Sequence, residues 1–286
     1  MSQPRAQRLR ELLAADGIVR AVGAHDGLTA KLVELTGFEA VWASSFELSA
    51  SQALPDAGLL GMTQCLDAAE VMDRAVSLPV IADCDTGFGD LLHVAQMARC
   101  FARRGIAAVC MEDQTSPKRN SLSGLRHALV PVEEFADKIR VAARNREPGG
   151  MLVIARTEAL VAGRDLAETL ARGRAYAAAG ADAVLVHSRD PDAGRVLAFA
   201  EAWDLDVPLV AVPTAYPQVS EDELYAAGYR LVIYANQGLR SMVRGVLKTL
   251  RELHAGRCAK AVEGDLCSME DVFALQRVDW GAGEQP

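Results

Sequence analysis

At 286 residues, half of them hydrophobic, the chain is long enough for one large domain or two small ones with a sizeable core. Thirty Lys and Arg against 38 Asp and Glu leave a net charge of −8, and with no basic stripe to meet phosphate the composition excludes nucleic acid as a partner. Six cysteines without a CxxC pair read as free thiols of a reducing compartment. No apolar run reaches the ~18 residues of a membrane span and the N-terminal stretch lacks a signal-peptide core, so the expected location is cytoplasm, with no membrane partner.

Along the chain, short apolar runs alternate with amphipathic ones. IVRAVGA (18–24), AVWAS (40–44), PVIADCD (79–85) and AAVCMED (107–113) read as strands, followed by MLVIART (151–157), AVLVHS (183–188), PLVAVP (208–213) and LVIYAN (231–236). Continuous apolar character is what parallel strands show when helices cover them. After the first run, Asp26 is expected to cap a helix, and His25 beside it has no assigned role. In DLLHVAQMARCFARRG, Leu91, Val94, Ala98 and Phe101 share a helical face, with Asp90 to cap the start and Gly105 the end. DLAETLARGRAYAAAGAD repeats the pattern with Asp165, Glu168 and Gly180. Eight such units without a Pro- or Ser-rich linker predict a single (β/α)8 barrel domain over residues 1–286. A C-terminal helical extension is expected from about 255 to 286, with an amphipathic helix over 266–280. A doubly wound open sheet is the competing architecture.

In such a barrel the reactive side chains come from the C-terminal strand ends. Here those ends carry Ser44 and Ser45, Asp83 and Asp85, Glu112 and Asp113, Arg156 and Glu158, His187 and Ser188, Thr214 and Asn236. Packing alone does not explain so many polar endings on one rim. Strand alternation puts Asp83 and Asp85 on the same side. Glu112 ends the next strand. Three carboxylates meeting there repel one another unless a cation joins them. Oxygen donors without His or Cys favour Mg²⁺, or Mn²⁺, over zinc. Asp85 is the principal expected ligand, with Asp83 and Glu112 acting directly or through water. The competing explanation is that such acids cap helices or pair with arginines, which suits Asp90 and Asp113. The connection 114–131, QTSPKRNSLSGLRHALVP, is long for a βα loop and reads as a lid. Its Lys118, Arg119, Asn120 and Ser121 could close over an anionic substrate.

Taken in order, GAHDGLTAKLVELTGFEAVWASSFELSA, DCDTGFGD, EDQTSPKRNS, IARTEAL, ADAVLVHS and VIYANQGLR resemble the phosphoenolpyruvate mutase/isocitrate lyase superfamily, from about residue 18 to 278. The resemblance implies a barrel whose eighth helix is swapped between subunits, a homodimer or homotetramer, Mg²⁺, and a small anionic 2-oxo acid or enolpyruvyl substrate. It implies metal binding by Asp85 with Asp83 and Glu112. It implies a pocket walled by Trp42, with Ser44, Ser45 and Ser121 on the substrate, and a catalytic set of Asp56, Lys118, Asn120, Arg156 and His187. Asp56 matches the family's mobile carboxylate, although after Pro55 it reads equally as a turn residue. The lid lacks the Cys of the lyase branches, and its Asn120-Ser121 resembles the mutase branch. FELSASQALPDAG and VPTAYPQ resemble phosphonopyruvate hydrolase, whose lid carries Thr. The expected activity is therefore a phosphoenolpyruvate mutase, then a hydrolase, then a C–C lyase or oxaloacetate-type hydrolase, with a non-catalytic oxo-acid-binding barrel last. Gln114, where the mutase pattern has Lys, has no account in the sequence.

Overall fold

Each of the eight apolar runs forms a strand: β1 (Val19–Ala24), β2 (Ala40–Ala43), β3 (Val80–Asp83), β4 (Ala108–Glu112), β5 (Leu152–Thr157), β6 (Ala183–Val186), β7 (Leu209–Ala211) and β8 (Tyr229–Tyr234). They pair in sequence order, all parallel, and β8 returns to β1 through Val19↔Leu231, which closes the barrel. The computed structural model describes residues 3–147 and 149–276. It divides into two compact units, Met1–Gln237 and Gly238–Pro286.

The first unit holds α1 (Arg5–Ala14), α2 (Gly27–Leu35), α3 (Ser45–Ser51), α4 (Met62–Ala75) and α5 (Leu91–Arg103), then α6 (Val132–Arg144), α7 (Leu166–Ala178), α8 (Gly194–Glu201) and α9 (Glu221–Ala227). Trp42, Ile81, Cys110, Ile154, Leu185 and Val210 belong to a buried cluster that also takes in Leu9 and Leu13 of α1. Two further clusters pack the helices on the outside of the strands. Helix α5 is typical: Val94, Met97, Ala98 and Phe101 are buried, and the Asp90 side chain accepts from the Leu92 and His93 amides. Burying Phe101 alone contributes about 1.5–3 kcal/mol. The other predicted caps also form, with Asp26 accepting from the Thr29 amide and Asp165 from the Glu168 amide.

The boundaries differ from expectation at one place that matters. β3 stops at Asp83, and Asp85 lies beyond it with φ = 50°, in a turn that continues through Gly87 (φ = 89°) and Phe88 (φ = 61°). Strand alternation therefore does not govern Asp85. The left-handed turn carries its carboxylate, at the modest backbone cost of a non-glycine residue in that region.

The second unit carries most of α10 (Gln237–Gly256), then α11 (Met269–Leu275) capped by Ser268. Of the helix expected over 266–280, seven residues are helical, and 277–280 lie outside the described residues. Met242, Val243, Val246, Leu247 and Leu250 of α10 are exposed.

Candidate active site

The long connection after β4 begins as a narrow neck. Val130 N–H donates to Asp113 O at 3.0 Å, Thr115 N–H donates to Ala128 O at 2.9 Å, and Gln114 and Leu129 form an isolated antiparallel bridge. Beyond the neck the loop folds back over the C-terminal rim. Under it lies a cavity of about 70 Å³, lined by Trp42, Ser44, Asp56, Asp83, Glu112, Lys118, Asn120, Ser121, Arg156 and His187, with Thr214 and Asn236. Ten of the twelve residues predicted for the site thus line one small space. The other two adjoin it. Ser45 lies between Asp83 and Lys118, and Asp85 lines a neighbouring cavity of about 320 Å³ that shares Lys118.

Lys118 organises the near side. Its Nζ lies 2.6 Å from Asp85 Oδ1 and 2.8 Å from Asp56 Oδ1, and it donates to Ser45 Oγ at 2.8 Å. Ser45 Oγ in turn donates to Asp83 Oδ2 at 2.7 Å. Burial opposes charge on this ammonium, but Asp85, with Asp83, Glu112 and Asp56, outweighs it and holds the lysine well above its ordinary range. Asn120 Nδ2 donates to Asp56 Oδ2 at 2.8 Å. The lid is therefore latched to the barrel by two of its own side chains. Asp56, an ambiguous turn residue in the sequence, is the carboxylate both of them grip.

The far side is built on Arg156, Glu158 and His187. Arg156 Nε donates to Glu158 Oε1 at 2.6 Å and lies 3.3 Å from Glu112 Oε2, while its Nη2 donates to Ser121 Oγ at 2.9 Å. Ser121 Oγ donates to Glu158 Oε2 at 2.8 Å. His187 Nδ1 sits 2.9 Å from both Glu158 Oε1 and Arg156 Nη2. Burial would push the Glu158 carboxyl up, but Arg156 and then His187 hold it well below the usual carboxylate range. His187 is pushed down, first by burial and then by Arg156, so its imidazole is neutral near pH 7. Glu158 was visible on the rim but not counted among the site residues. Its signal was its place two residues after Arg156 in IARTEAL.

Asp83, Asp85 and Glu112 reach the same mouth, but among the described residues no three His, Cys, Asp or Glu side chains meet closely enough to hold one ion. The expected convergence is divided by the chain's own cations, with Lys118 against Asp85 and Arg156 against Glu112. The donors nevertheless fit a small hard cation. Among the described residues, Asp56 Oδ1 and Asp85 Oδ1 are buried without a hydrogen bond of proper direction and face the charge of Lys118. Burial pushes Asp85 up and Glu112 well up, so as anions both gain from further positive charge.

Other acids are structural. Asp113 is fully buried and accepts from Thr157, Tyr176, Arg172 and the Glu158 amide, as the arginine-pairing explanation requires. His25 pairs through Nδ1 with Glu47 Oε2 at 2.9 Å, beneath the start of β2's following helix α3. Glu47, wholly buried, had no sequence signal beyond its place in FELSA. Gly23 allows this approach, since a Cβ there would meet Ala235 O at 2.4 Å and Glu47 Oε1 at 2.5 Å.

A closed (β/α)8 barrel with an acid-lined mouth, an Arg–Glu–His cluster and a lid defines a barrel-enzyme site at the C-terminal strand ends. The chain belongs to the family described as Phosphoenolpyruvate phosphomutase, which matches residues 9–254. It is 42% identical over 272 residues to the phosphonopyruvate hydrolase of Variovorax sp. (strain Pal2), covering 94% of each chain. Among solved structures, it is similar to phosphoenolpyruvate phosphomutase from Streptomyces platensis subsp. rosaceus, with 46% identity, a TM-score of 0.93, and 95% of this chain and 94% of that one covered. It is also similar to a phosphonopyruvate hydrolase in complex with oxalate and Mg²⁺, with 40% identity, a TM-score of 0.90, and 96% and 95% covered.

Proposed function

We propose that the protein is a phosphoenolpyruvate phosphomutase, interconverting phosphoenolpyruvate and phosphonopyruvate. The P–O bond to the enol oxygen breaks, the enolate carbon supplies the electron pair for a new P–C bond, and no water is consumed. Such a transfer depends on positioning and charge stabilisation more than on covalent chemistry. The observation that carries this reading is the latched lid, in which Asn120 and Lys118 are both bonded to Asp56 over a cavity of about 70 Å³.

A divalent cation held by Asp85, with Asp83 and Glu112, would offset the negative charge of the substrate carboxylate and enolate oxygen. The hydrolase relative crystallised with oxalate and Mg²⁺ supports that assignment. The pyruvyl part would lie beside Trp42, Ser44 and the first turn of α3, whose leading N–H groups have no intrahelical partner. Arg156 would meet the phosphoryl oxygens with its guanidinium, and His187, held at Nδ1 between Arg156 and Glu158, would stand beside it. Ser121 and Glu158 would fix the guanidinium plane, and Asn120 would steady the migrating phosphoryl group and exclude water.

The second reading is phosphonopyruvate hydrolase, favoured by the 42% identity to the Variovorax protein. It differs in admitting water to the same phosphorus. A C–C lyase ranks third because the lid carries Lys118-Arg119-Asn120-Ser121 and no Cys. The exposed apolar side of α10 supports a homodimer or homotetramer with exchanged C-terminal helices, and the cysteine pattern supports a cytoplasmic location. Phosphorus NMR of phosphonopyruvate with the protein and Mg²⁺ tests the reaction. Phosphoenolpyruvate is the expected product, and phosphate with pyruvate alone would replace the mutase by the hydrolase.

A further inference from the structure

The proposed reaction, on which this inference rests, gives Gln114 no part, yet its side chain makes four hydrogen bonds within the lid and its neck. Gln114 is 3% exposed. Its Nε2 donates to Glu112 Oε1 at 3.1 Å and to Arg119 O at 3.0 Å. Its Oε1 accepts from the Arg119 amide at 3.1 Å and lies 3.0 Å from His127 Nδ1. A primary amide has two donor hydrogens and two acceptor lone pairs, and all four are used. Because Oε1 can only accept, the imidazole carries its proton on Nδ1. That leaves Nε2 bare, and Nε2 is indeed buried with no partner among the described residues.

The four bonds join three separate pieces of the chain. Glu112 is the end of β4, Arg119 is the outgoing arm of the lid, and His127 is its returning arm. The grip on Arg119 is on the peptide group, through both N–H and C=O, so it fixes the chain between Lys118 and Asn120 whatever the arginine side chain does. These two neighbours are the ones that latch on Asp56. We infer that Gln114 is a positioning residue: it clamps both arms of the lid to the Glu112 carboxylate and so sets the register in which Lys118 and Asn120 meet Asp56.

The chemistry of the amide makes this specific. A lysine here would present three donors and no acceptor, stranding the Arg119 amide and the His127 Nδ1–H. A glutamate would keep the acceptors but lose both donations and set a second carboxylate against Glu112. Gln114 and His127 therefore work as a matched pair, and a lysine at 114 requires a different partner at 127.

The test uses the full chain with Mg²⁺ and oxalate as the probe, and two variants, Gln114→Ala and His127→Ala. The lid contains the trypsin sites Lys118 and Arg119, so cleavage mapped by mass spectrometry reads closure without any turnover. Cleavage at Arg119 should quicken about tenfold in Gln114→Ala and by a smaller factor in His127→Ala, which loses one bond of the four. With phosphonopyruvate, kcat of Gln114→Ala should fall about ten- to a hundredfold while KM moves less than about threefold, with a larger share of product as free phosphate. Wild-type cleavage rates in both variants would overturn the inference, as would unchanged kcat and product partition in a folded Gln114→Ala. Should Gln114→Ala fail to fold, the cleavage rate of His127→Ala decides. If the wild-type protein turns over no phosphonopyruvate, the proposed function fails, and the proteolysis comparison still judges the clamp.

Discussion

Replacing Lys118 by methionine removes one positive charge from a set of buried acids and leaves the volume nearly unchanged. The ammonium is 2.6 Å from Asp85 and 2.8 Å from Asp56, and it also compensates Asp83 through Ser45. Removing one partner of a buried pair costs ~3–5 kcal/mol, because the charge left behind is uncompensated. Opening of the lid to admit water sets an upper bound on that loss. At ~2–4 °C per kcal/mol, the metal-free variant should melt roughly 6–20 °C below wild type. Added Mg²⁺ should then restore much of the difference, since a cation at a hundred times its Kd contributes ~2.7 kcal/mol to whichever protein binds it. The variant, with no ammonium competing for Asp85, should gain more from Mg²⁺ than wild type does. Differential scanning calorimetry with EDTA and with millimolar Mg²⁺ measures all four values. Equal melting temperatures in EDTA, or a larger Mg²⁺ shift in wild type, would refute the idea that Lys118 and a metal serve the same acids.

Asn120→Thr removes the amide that donates to Asp56 at 2.8 Å, a charge-assisted bond worth ~1.5–3 kcal/mol, so the ratio of phosphate to phosphoenolpyruvate should rise at least about tenfold by phosphorus NMR. Arg156→Lys keeps the charge but loses the fork shared among Glu158, Ser121 and His187, and steady-state assays should show kcat lower by about a hundredfold. The His25 pair gives a pH signature. The hydrogen bond that His25 donates to the Glu47 carboxylate raises its pKa above the ordinary value, against the effect of burial. The folded protein therefore holds this proton more tightly than the unfolded chain. The pair's contribution to stability is complete below the unfolded pKa of ~6.5 and is lost as pH rises through the folded value. His187 and His127, both held below their ordinary value mainly by burial, act with the opposite sign, so the pair is read by difference: from urea unfolding across that window, the stability of wild type minus that of Glu47→Gln should fall as pH rises, and a difference independent of pH would refute the assignment.

The eight strands were readable because parallel strands buried on both faces leave uninterrupted apolar runs, and the helix caps were readable because Asp26, Asp90 and Asp165 each precede an amphipathic run. The rim was readable for the same reason, since polar residues stand out where such runs end. What the pattern could not carry was conformation beyond the strand ends. The left-handed turn at Asp85 breaks the alternation that seemed to align it with Asp83. A lysine and an asparagine in a loop do not announce that both reach back to Asp56, a residue about sixty positions earlier. Glu47 was opaque because an isolated acid in sequence has no visible partner, and Glu158, though visible on the rim, showed its grip on Arg156, Ser121 and His187 only in the closed barrel. Gln114 looked like a departure from a motif until the lid's two arms supplied its four bonds.

On this account Asp85 in the turn after β3, with Asp83 and Glu112 at the ends of β3 and β4, takes a divalent cation beneath a lid latched by Lys118 and Asn120. A crystal structure of the protein grown with Mg²⁺ and oxalate tests it most directly. The expected map places one ion against Asp85, with Asp83 and Glu112 in its coordination or water shell, Lys118 withdrawn from Asp85, and Asn120 still on Asp56. An ion bound elsewhere, or Lys118 unmoved between Asp85 and Asp56 with oxalate in the cavity and no metal beside it, would contradict the claim.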